Sequence, residues 1–369
     1  MPWQFKQVIF DLGRFRNLRR VEIKFDQEVC GPSNEDLQSG NHREWKEYRD
    51  QFLEQLFKSL NDPEHPAANV RCLSIENLQD MVNVEIATSD DFKAVLARLD
   101  ALELGIATEK YDPSPENEIG ITERHTFFGN YLAKYWLRPV QDHLLHLTLY
   151  CDTYWGYAPI FNCEAVHFPQ LRSLALGNFT FFKHAQLQWI LSHAGTLERL
   201  SLDDCPILHA GRVGKEVKPD NSLVYDIYEG LEWDYDNEKF WTYEARWHDY
   251  LAMIKDGLPK LKRFAIGHGS WENLYDDEEG SAFSSAPLTS AAMDVRRYCI
   301  FNYGIGPSQW VERGLDTAGD EQSGFYQVEG EEYDGVWEEE EGPVPKPPMC
   351  KQEDEKALDE LMRIVRARG

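Results

Sequence analysis

The spacing L-x-x-L-x-L recurs along the chain and constrains its fold more than any other feature of the sequence. The most complete copy comprises Leu197, Leu200 and Leu202, followed by Cys205 and Ile207. Further copies are Leu144, Leu147, Leu149; Leu171, Leu174, Leu176; Leu18, Val21, Ile23; Val70, Leu73, Ile75, Leu78; Leu99, Leu102, Leu104; and Leu261, Phe264, Ile266. The three central copies begin 27 and 26 residues apart. Such a period indicates small stacked units, because no single unit buries its own apolar face.

Each copy predicts one short strand. In L-x-L the two leucines point to one side of the strand, and the residues between them point to the other. Cys205 stands at a strand exit, where we expect its side chain to turn inward toward backbone groups.

Apolar residues at helical spacing separate several of these strands. They predict helices over residues 44–60, 126–137, 184–193 and 238–255. This alternation predicts an α/β fold, a leucine-rich-repeat-like solenoid with irregular insertions. Its parallel strands would line the concave side and its helices the convex side.

Residues 1–312 would form this domain, with insertions rich in Pro, Gly, Ser and acidic residues near 111–120, 209–237 and 270–292. Residues 296–312 alternate apolar side chains, which predicts a closing strand or cap. The composition of residues 313–349 predicts an acidic, Pro-containing disordered segment, because residues 316–341 contain eleven acidic residues and no basic one. Residues 350–369 predict a C-terminal helix.

The net charge of -26 would repel phosphate backbones and anionic lipids. We therefore expect neither nucleic acid nor a membrane as partner, and a basic protein instead. Seven scattered cysteines without a C-x-x-C pair indicate reduced thiols in the cytoplasm or nucleus. The start of the sequence lacks the features of a secretory signal.

Candidate chemistry is sparse. His143 and His146 form an H-x-x-H pair, but they fall on a predicted strand or turn without a nearby cysteine or carboxylate cluster. Gly304 and Gly306 lack the third glycine and the βαβ context of a dinucleotide loop. The sequence therefore predicts no enzyme, no catalytic residues, no cofactor and no metal.

Several segments resemble the leucine-rich-repeat portion of fungal F-box proteins. They are FFGNYLAKYWLRP, LLHLTLYCDTYWG, FPQLRSLALGNFTF and LQWILSHAGTLERLSLDDCPI, and the later RRYCIFNYGIGPSQW is similar to the C-terminal part of the same proteins. In that family the F-box docks onto a cullin–RING ubiquitin ligase, and the repeats recruit a substrate. The resemblance covers most of residues 5–312 and concerns the repeat portion only, because no F-box is recognisable in this chain.

The resemblance implies a non-catalytic protein–protein interaction module, similar to the substrate-recognition part of an F-box ubiquitin-ligase subunit. A cullin–RING adaptor would be a partner only if an F-box exists outside this chain. The alternatives are a scaffold or binding protein unconnected to ubiquitin ligases, and an enzyme on a degenerate repeat fold.

The predicted contact surface consists of the strand residues that flank the leucines. They are Arg20, Glu22, Lys24, Ser74, Glu76, Glu103, His146, Thr148, Tyr150, Ser173, Arg199, Ser201, Asp203 and Arg263.

Overall fold

The computed structural model describes residues 7–9, 11–25, 41–62, 69–108, 122–212, 241–267, 297–302, 310–312, 345 and 348–369. The predicted insertions at 111–120 and 270–292 lie outside these residues, as do nearly all of 209–237 and 313–349.

The described strands and helices follow the alternation expected from the sequence. The strands are β1 (Arg20–Lys24), β2 (Cys72–Gln79), β3 (Ala101–Ala107), β4 (His146–Trp155), β5 (Ser173–Phe179), β6 (Arg199–Asp203), β7 (Ile207–Arg212), β8 (Trp241–Thr242), β9 (Arg263–Gly267), β10 (Tyr298–Asn302) and β11 (Trp310–Glu312). The helices are α1 (Asn41–Leu60), α2 (Val84–Thr88), α3 (Asp90–Leu96), α4 (Thr122–Thr126), α5 (His184–Leu191), α6 (Trp247–Gly257) and α7 (Lys351–Arg368). A π-helical stretch spans Phe127–Leu137, and short 3-10 helices span Leu12–Arg14, Arg138–Val140 and Cys163–Ala165.

The main sheet contains seven strands, all parallel to their neighbours, in the order β1-β2-β3-β4-β5-β6-β9. The strand order therefore follows the chain. Each L-x-x-L-x-L copy supplies one strand, and the copies are aligned, so that Leu147 pairs with Leu174 and Leu174 with Leu200. The predicted α/β class and the seven predicted parallel strands are confirmed.

One face of this sheet is apolar and packs against the helices. Leu104, Leu149, Leu176 and Leu202 are fully buried there. Helix side chains such as Leu56 complete the same hydrophobic core. Burying a leucine side chain stabilises a fold by about 1.5–3 kcal/mol, so each of these repeated leucines contributes to the stability of the sheet.

The helix predictions hold except at residues 238–255. Helix α6 begins only at Trp247, and residues 241–242 form strand β8. Strand β8 pairs with β7, where the Trp241 ring lies against Gly211, and the Tyr243 amide donates to the His209 carbonyl. These long-range contacts outweigh the helical spacing of the local sequence.

A second sheet has the order β11-β10-β7-β8. Residues 296–312 contain strands β10 and β11, but they pair within this second sheet and do not close the main one. Helix α7 instead packs against α6 and β9 at the end of the main sheet, where Leu361 and Val365 join the core.

Polar side chains secure the exits of several strands. Asn77 and Asn178 adopt the left-handed backbone conformation that asparagine tolerates, with φ of 56° and 55°. Their amides donate to the carbonyls of Phe25 and Cys151 at 2.7 and 2.8 Å. The Cys205 thiol donates to the Leu176 carbonyl at 3.3 Å, so its predicted inward orientation is confirmed.

Candidate binding surface on the open face of the sheet

The face of the main sheet opposite the helices is here called the open face. Its side chains alternate with the buried leucines, and the strand register arranges them in three rows. Row one consists of Arg20, Cys72, Ala101, His146, Ser173, Arg199 and Arg263. Row two consists of Glu22, Ser74, Glu103, Thr148, Ala175, Ser201 and Ala265. Row three begins with Lys24 and Glu76 and continues, after a register shift in β2, with Gly105, Tyr150, Gly177, Asp203 and Gly267. All the predicted contact residues therefore lie on one face.

Strands β1–β3 form what we call the bridged part of the open face, because ion pairs cross it. Two guanidinium nitrogens of Arg20 donate to the Glu103 carboxylate at 3.1 and 2.7 Å, reaching over the intervening strand β2. Ser74 lies on that intervening strand and is fully buried. Lys24 pairs with Glu76 at 3.5 Å. The charges of this part are thus largely paired with one another.

Strands β4, β5, β6 and β9 form the bare part. Its third row is organised by Tyr150, whose ring lies across Gly177. A Cβ atom at Gly177 would be only 2.0 Å from a ring carbon of Tyr150, so this position requires glycine. The Tyr150 hydroxyl donates to Asp203 at 3.4 Å. Burial and the Asp203 carboxylate both raise the pKa of Tyr150, which keeps the phenol protonated as a donor.

The second row of the bare part carries only small side chains, Thr148, Ala175, Ser201 and Ala265. We call the strip of small side chains that these four residues form across the strands the trough, and the four residues are its floor. Row one forms one wall of this trough, and Tyr150 forms the other. Because the floor has no long side chain, a partner could approach the sheet closely.

Two arginines dominate the first wall. Arg199 and Arg263 are register partners on adjacent strands, and both are exposed. Within the described part of the chain, neither guanidinium has an ion pair or a side-chain hydrogen bond. The nearest acidic residue in sequence, Glu198, instead pairs with Lys262 at 3.1 Å.

His146 contributes to the same wall on β4. Burial lowers the pKa of His146, and the charges of Arg199 and Arg172 lower it further. The imidazole is therefore neutral near pH 7, and the positive charge of this wall comes from the arginines. The other histidine of the H-x-x-H pair, His143, lies in a turn and contacts the Leu96 carbonyl at 3.3 Å.

Three predicted contact residues are too buried to meet a partner directly. Ser74, Glu76 and Asp203 are 0%, 6% and 7% exposed. The neighbouring ion pairs and Tyr150 account for this burial, which the alternation of the sequence does not reveal. Sequence reasoning missed Arg172, an exposed residue that directly precedes β5 and lies close enough to His146 to influence its charge.

A second polar cluster, at the amino terminus of α6, was not foreseen. Asp354 of α7 is fully buried and accepts hydrogen bonds from the backbone nitrogen and Nδ1 of His248, at 2.9 and 2.8 Å. It also accepts from the Tyr298 hydroxyl at 2.9 Å, and Arg297 lies 3.4 Å away. A helix leaves its first backbone N–H groups without partners, so Asp354 caps α6 from a distant part of the chain.

His248, Cys350 and Asp354 have donor atoms within 4.8 Å of one another, a separation compatible with a shared metal ion. The oxygens of Asp354 are already engaged by His248 and Tyr298, and the buried guanidinium of Arg297 would repel a cation. We therefore interpret this cluster as the contact that docks α7 onto α6.

The chain was compared with protein-family models, with curated proteins and with solved structures, and none of these comparisons returned a match. Among the described helices, every one is too short or too polar to cross a lipid bilayer.

Proposed function

We propose that this chain is a non-catalytic protein-interaction module of the leucine-rich-repeat type, which binds a partner protein in the trough of the bare part. The repeat assignment is supported by the 26- and 27-residue spacing of the central copies together with the in-register stacking of their strands. Stacked repeats of this kind create extended surfaces that proteins use for binding.

The observation that carries the proposal is the floor of the trough. Thr148, Ala175, Ser201 and Ala265 place no side chain larger than threonine on four neighbouring strands. The walls supply the groups that are enriched where partners bind, arginine and tyrosine.

Site-specific crosslinking tests this proposal. A photoreactive amino acid at Ser201 would lie on the floor of the trough, whereas one at the exposed Gln188 of α5 would lie on the opposite side of the sheet. We expect discrete partner adducts from position 201 and none from position 188. The substitution Ala175→Arg should abolish the adduct by filling the trough. Equal labelling at both positions, or an adduct that survives Ala175→Arg, would contradict the proposal.

The role of substrate receptor for a ubiquitin ligase is the more specific form of this proposal. It rests on the resemblance of the repeat segments to fungal F-box proteins. Affinity purification of the full-length product of the gene would test it, because cullin–RING adaptor subunits should copurify in stoichiometric amounts. Their absence would leave the general interaction module or scaffold standing.

A further inference from the structure

We propose that the occupant of the trough is an extended, carboxylate-rich peptide segment, whose acidic side chains pair with Arg199 and Arg263. This inference rests on the proposed function and names the class of partner. It reverses the expectation from net charge, which favours a basic partner.

The local charges differ in sign from the chain as a whole. Arg199 and Arg263 occupy register positions on adjacent strands, so their Cα atoms lie about 4.8 Å apart. Like charges carried by neighbouring register positions repel each other, and both gain from a shared anionic ligand. At physiological ionic strength charges are screened over about 8 Å, so a bound segment responds to these neighbours more than to distant acidic residues.

The acidic residues beside and on β6 are already engaged. Glu198 binds Lys262 at 3.1 Å, and Asp203 accepts the Tyr150 hydroxyl at 3.4 Å. Within the described residues neither guanidinium forms an ion pair with a carboxylate, but Arg199 influences one acidic group: the hydrogen bond from Lys262 lowers the pKa of Glu198, and the charges of Arg172 and Arg199 lower it further. Each guanidinium offers five N–H donors in a planar arrangement that suits bidentate pairing with a carboxylate.

The shape of the trough favours a peptide chain. From β4 to β9 the floor crosses three strand spacings, about 14 Å in all, which an extended peptide covers with about four residues. Ser173 and Ser201 add hydroxyl groups beside the arginines, and Ala175 and Ala265 leave space for the peptide backbone. A long nucleic acid would carry its phosphates past the acidic remainder of the protein, which repels them.

Fluorescence anisotropy on the full chain tests the inference. The probe is a labelled peptide with about four consecutive glutamates, and its control carries glutamine at the same positions. Two exposed salt bridges together contribute about tenfold in affinity, so the glutamate peptide should bind about tenfold more tightly than the glutamine peptide. The double variant Arg199→Gln/Arg263→Gln should remove this difference.

A matched control removes the same charge elsewhere. Arg363 and Arg366 are exposed on α7, and Arg363→Gln/Arg366→Gln should leave affinity for the glutamate peptide within about twofold of the parent, because distant exposed charges are screened. Equal loss in both double variants would show a general charge effect and would overturn the inference.

Two further probes distinguish carboxylates from other anions as the ligand of the arginines. These probes are a phosphoserine peptide and a short single-stranded DNA. If either of them binds through Arg199 and Arg263 while the glutamate peptide does not bind, the assignment to carboxylates is overturned.

The crosslinking experiment at Ser201 does not depend on the arginines. If adducts form there but the glutamate peptide fails to bind, the partner class is wrong and the interaction module stands; if both fail, the proposed function fails as well.

Discussion

The bridged part and the bare part of the open face share one backbone arrangement and use charge in opposite ways. In the bridged part, Arg20 crosses a strand to reach Glu103, so the charges stabilise the sheet itself. In the bare part, Arg199 and Arg263 have no such partner among the described residues, and small side chains separate them from Tyr150. Identical strand pairing therefore does not create a uniform surface. The contacts between side chains decide which part remains available for binding.

The largest predicted effect tests whether the bridged part and the bare part share one hydrophobic core and differ only on the open face. Leu104 lies beneath the bridged part and Leu176 beneath the bare part, and both are fully buried. Leu104→Ala and Leu176→Ala should each lower the free energy of unfolding by about 2–5 kcal/mol, because each leaves a cavity in the same core. Urea denaturation measures both. A cost near zero at either position would mean that the core is not continuous beneath the two parts.

A smaller effect tests the packing that defines the bare part. Gly177→Ala should lower the free energy of unfolding by about 1–3 kcal/mol, since the new methyl group displaces the Tyr150 ring. The matched control is Gly195→Ala, where a Cβ atom meets nothing within 4 Å, and its effect should stay within about 1 kcal/mol of zero. Thermal unfolding measures the stability of both variants. Equal destabilisation would contradict the assignment of Tyr150 to the wall of the trough.

The Arg20–Glu103 ion pair of the bridged part should contribute less to the free energy of unfolding than the packing at Gly177. Arg20 and Glu103 are 40% and 15% exposed, so solvent screens their attraction. A double-mutant cycle with Arg20→Ala and Glu103→Ala should give a coupling free energy of about 0.5–1 kcal/mol that decreases in high salt. Salt-independent coupling would contradict an electrostatic origin.

The smallest effect on stability is predicted for the bare part's arginines. Arg199→Gln and Arg263→Gln should each change the free energy of unfolding by less than about 0.5 kcal/mol, because neither side chain makes a described contact that would be lost. Removing one should even relieve repulsion on the other. Calorimetry measures this change. A substantial loss of stability would show that these arginines stabilise the sheet, as the ion-paired charges of the bridged part do.

The sequence predicts the main sheet well, because the information for it is local and repeated. An apolar residue at every second position selects the face of each strand, and the copy that starts at Leu261 marks the strand that begins at Arg263 although it carries no leucine at the two strand positions. The strand register places the residues of the predicted contact surface on one face for the same reason, and their role in binding stays a prediction. Alternation does not reveal pairing across a strand, and so the burial of Ser74 beneath the Arg20–Glu103 pair could not be predicted.

The errors arise where distant segments meet. The helical spacing before Trp247 gives way to pairing between β8 and β7, which the local pattern does not encode. The docking of α7 was not predicted either, because Asp354 resembles an ordinary acidic residue in the first turn of an exposed helix. Its partner His248 precedes it by 106 residues.

That separation affects how the protein assembles during synthesis. Ribosomes add about 5–20 residues per second, so α6 emerges about 5–20 seconds before Asp354 is made. In the interval the first strands of the sheet can already associate, while α6 lacks one of the groups that satisfies its amino terminus. Completion of the β9 end of the main sheet is therefore a late event that requires a distant helix.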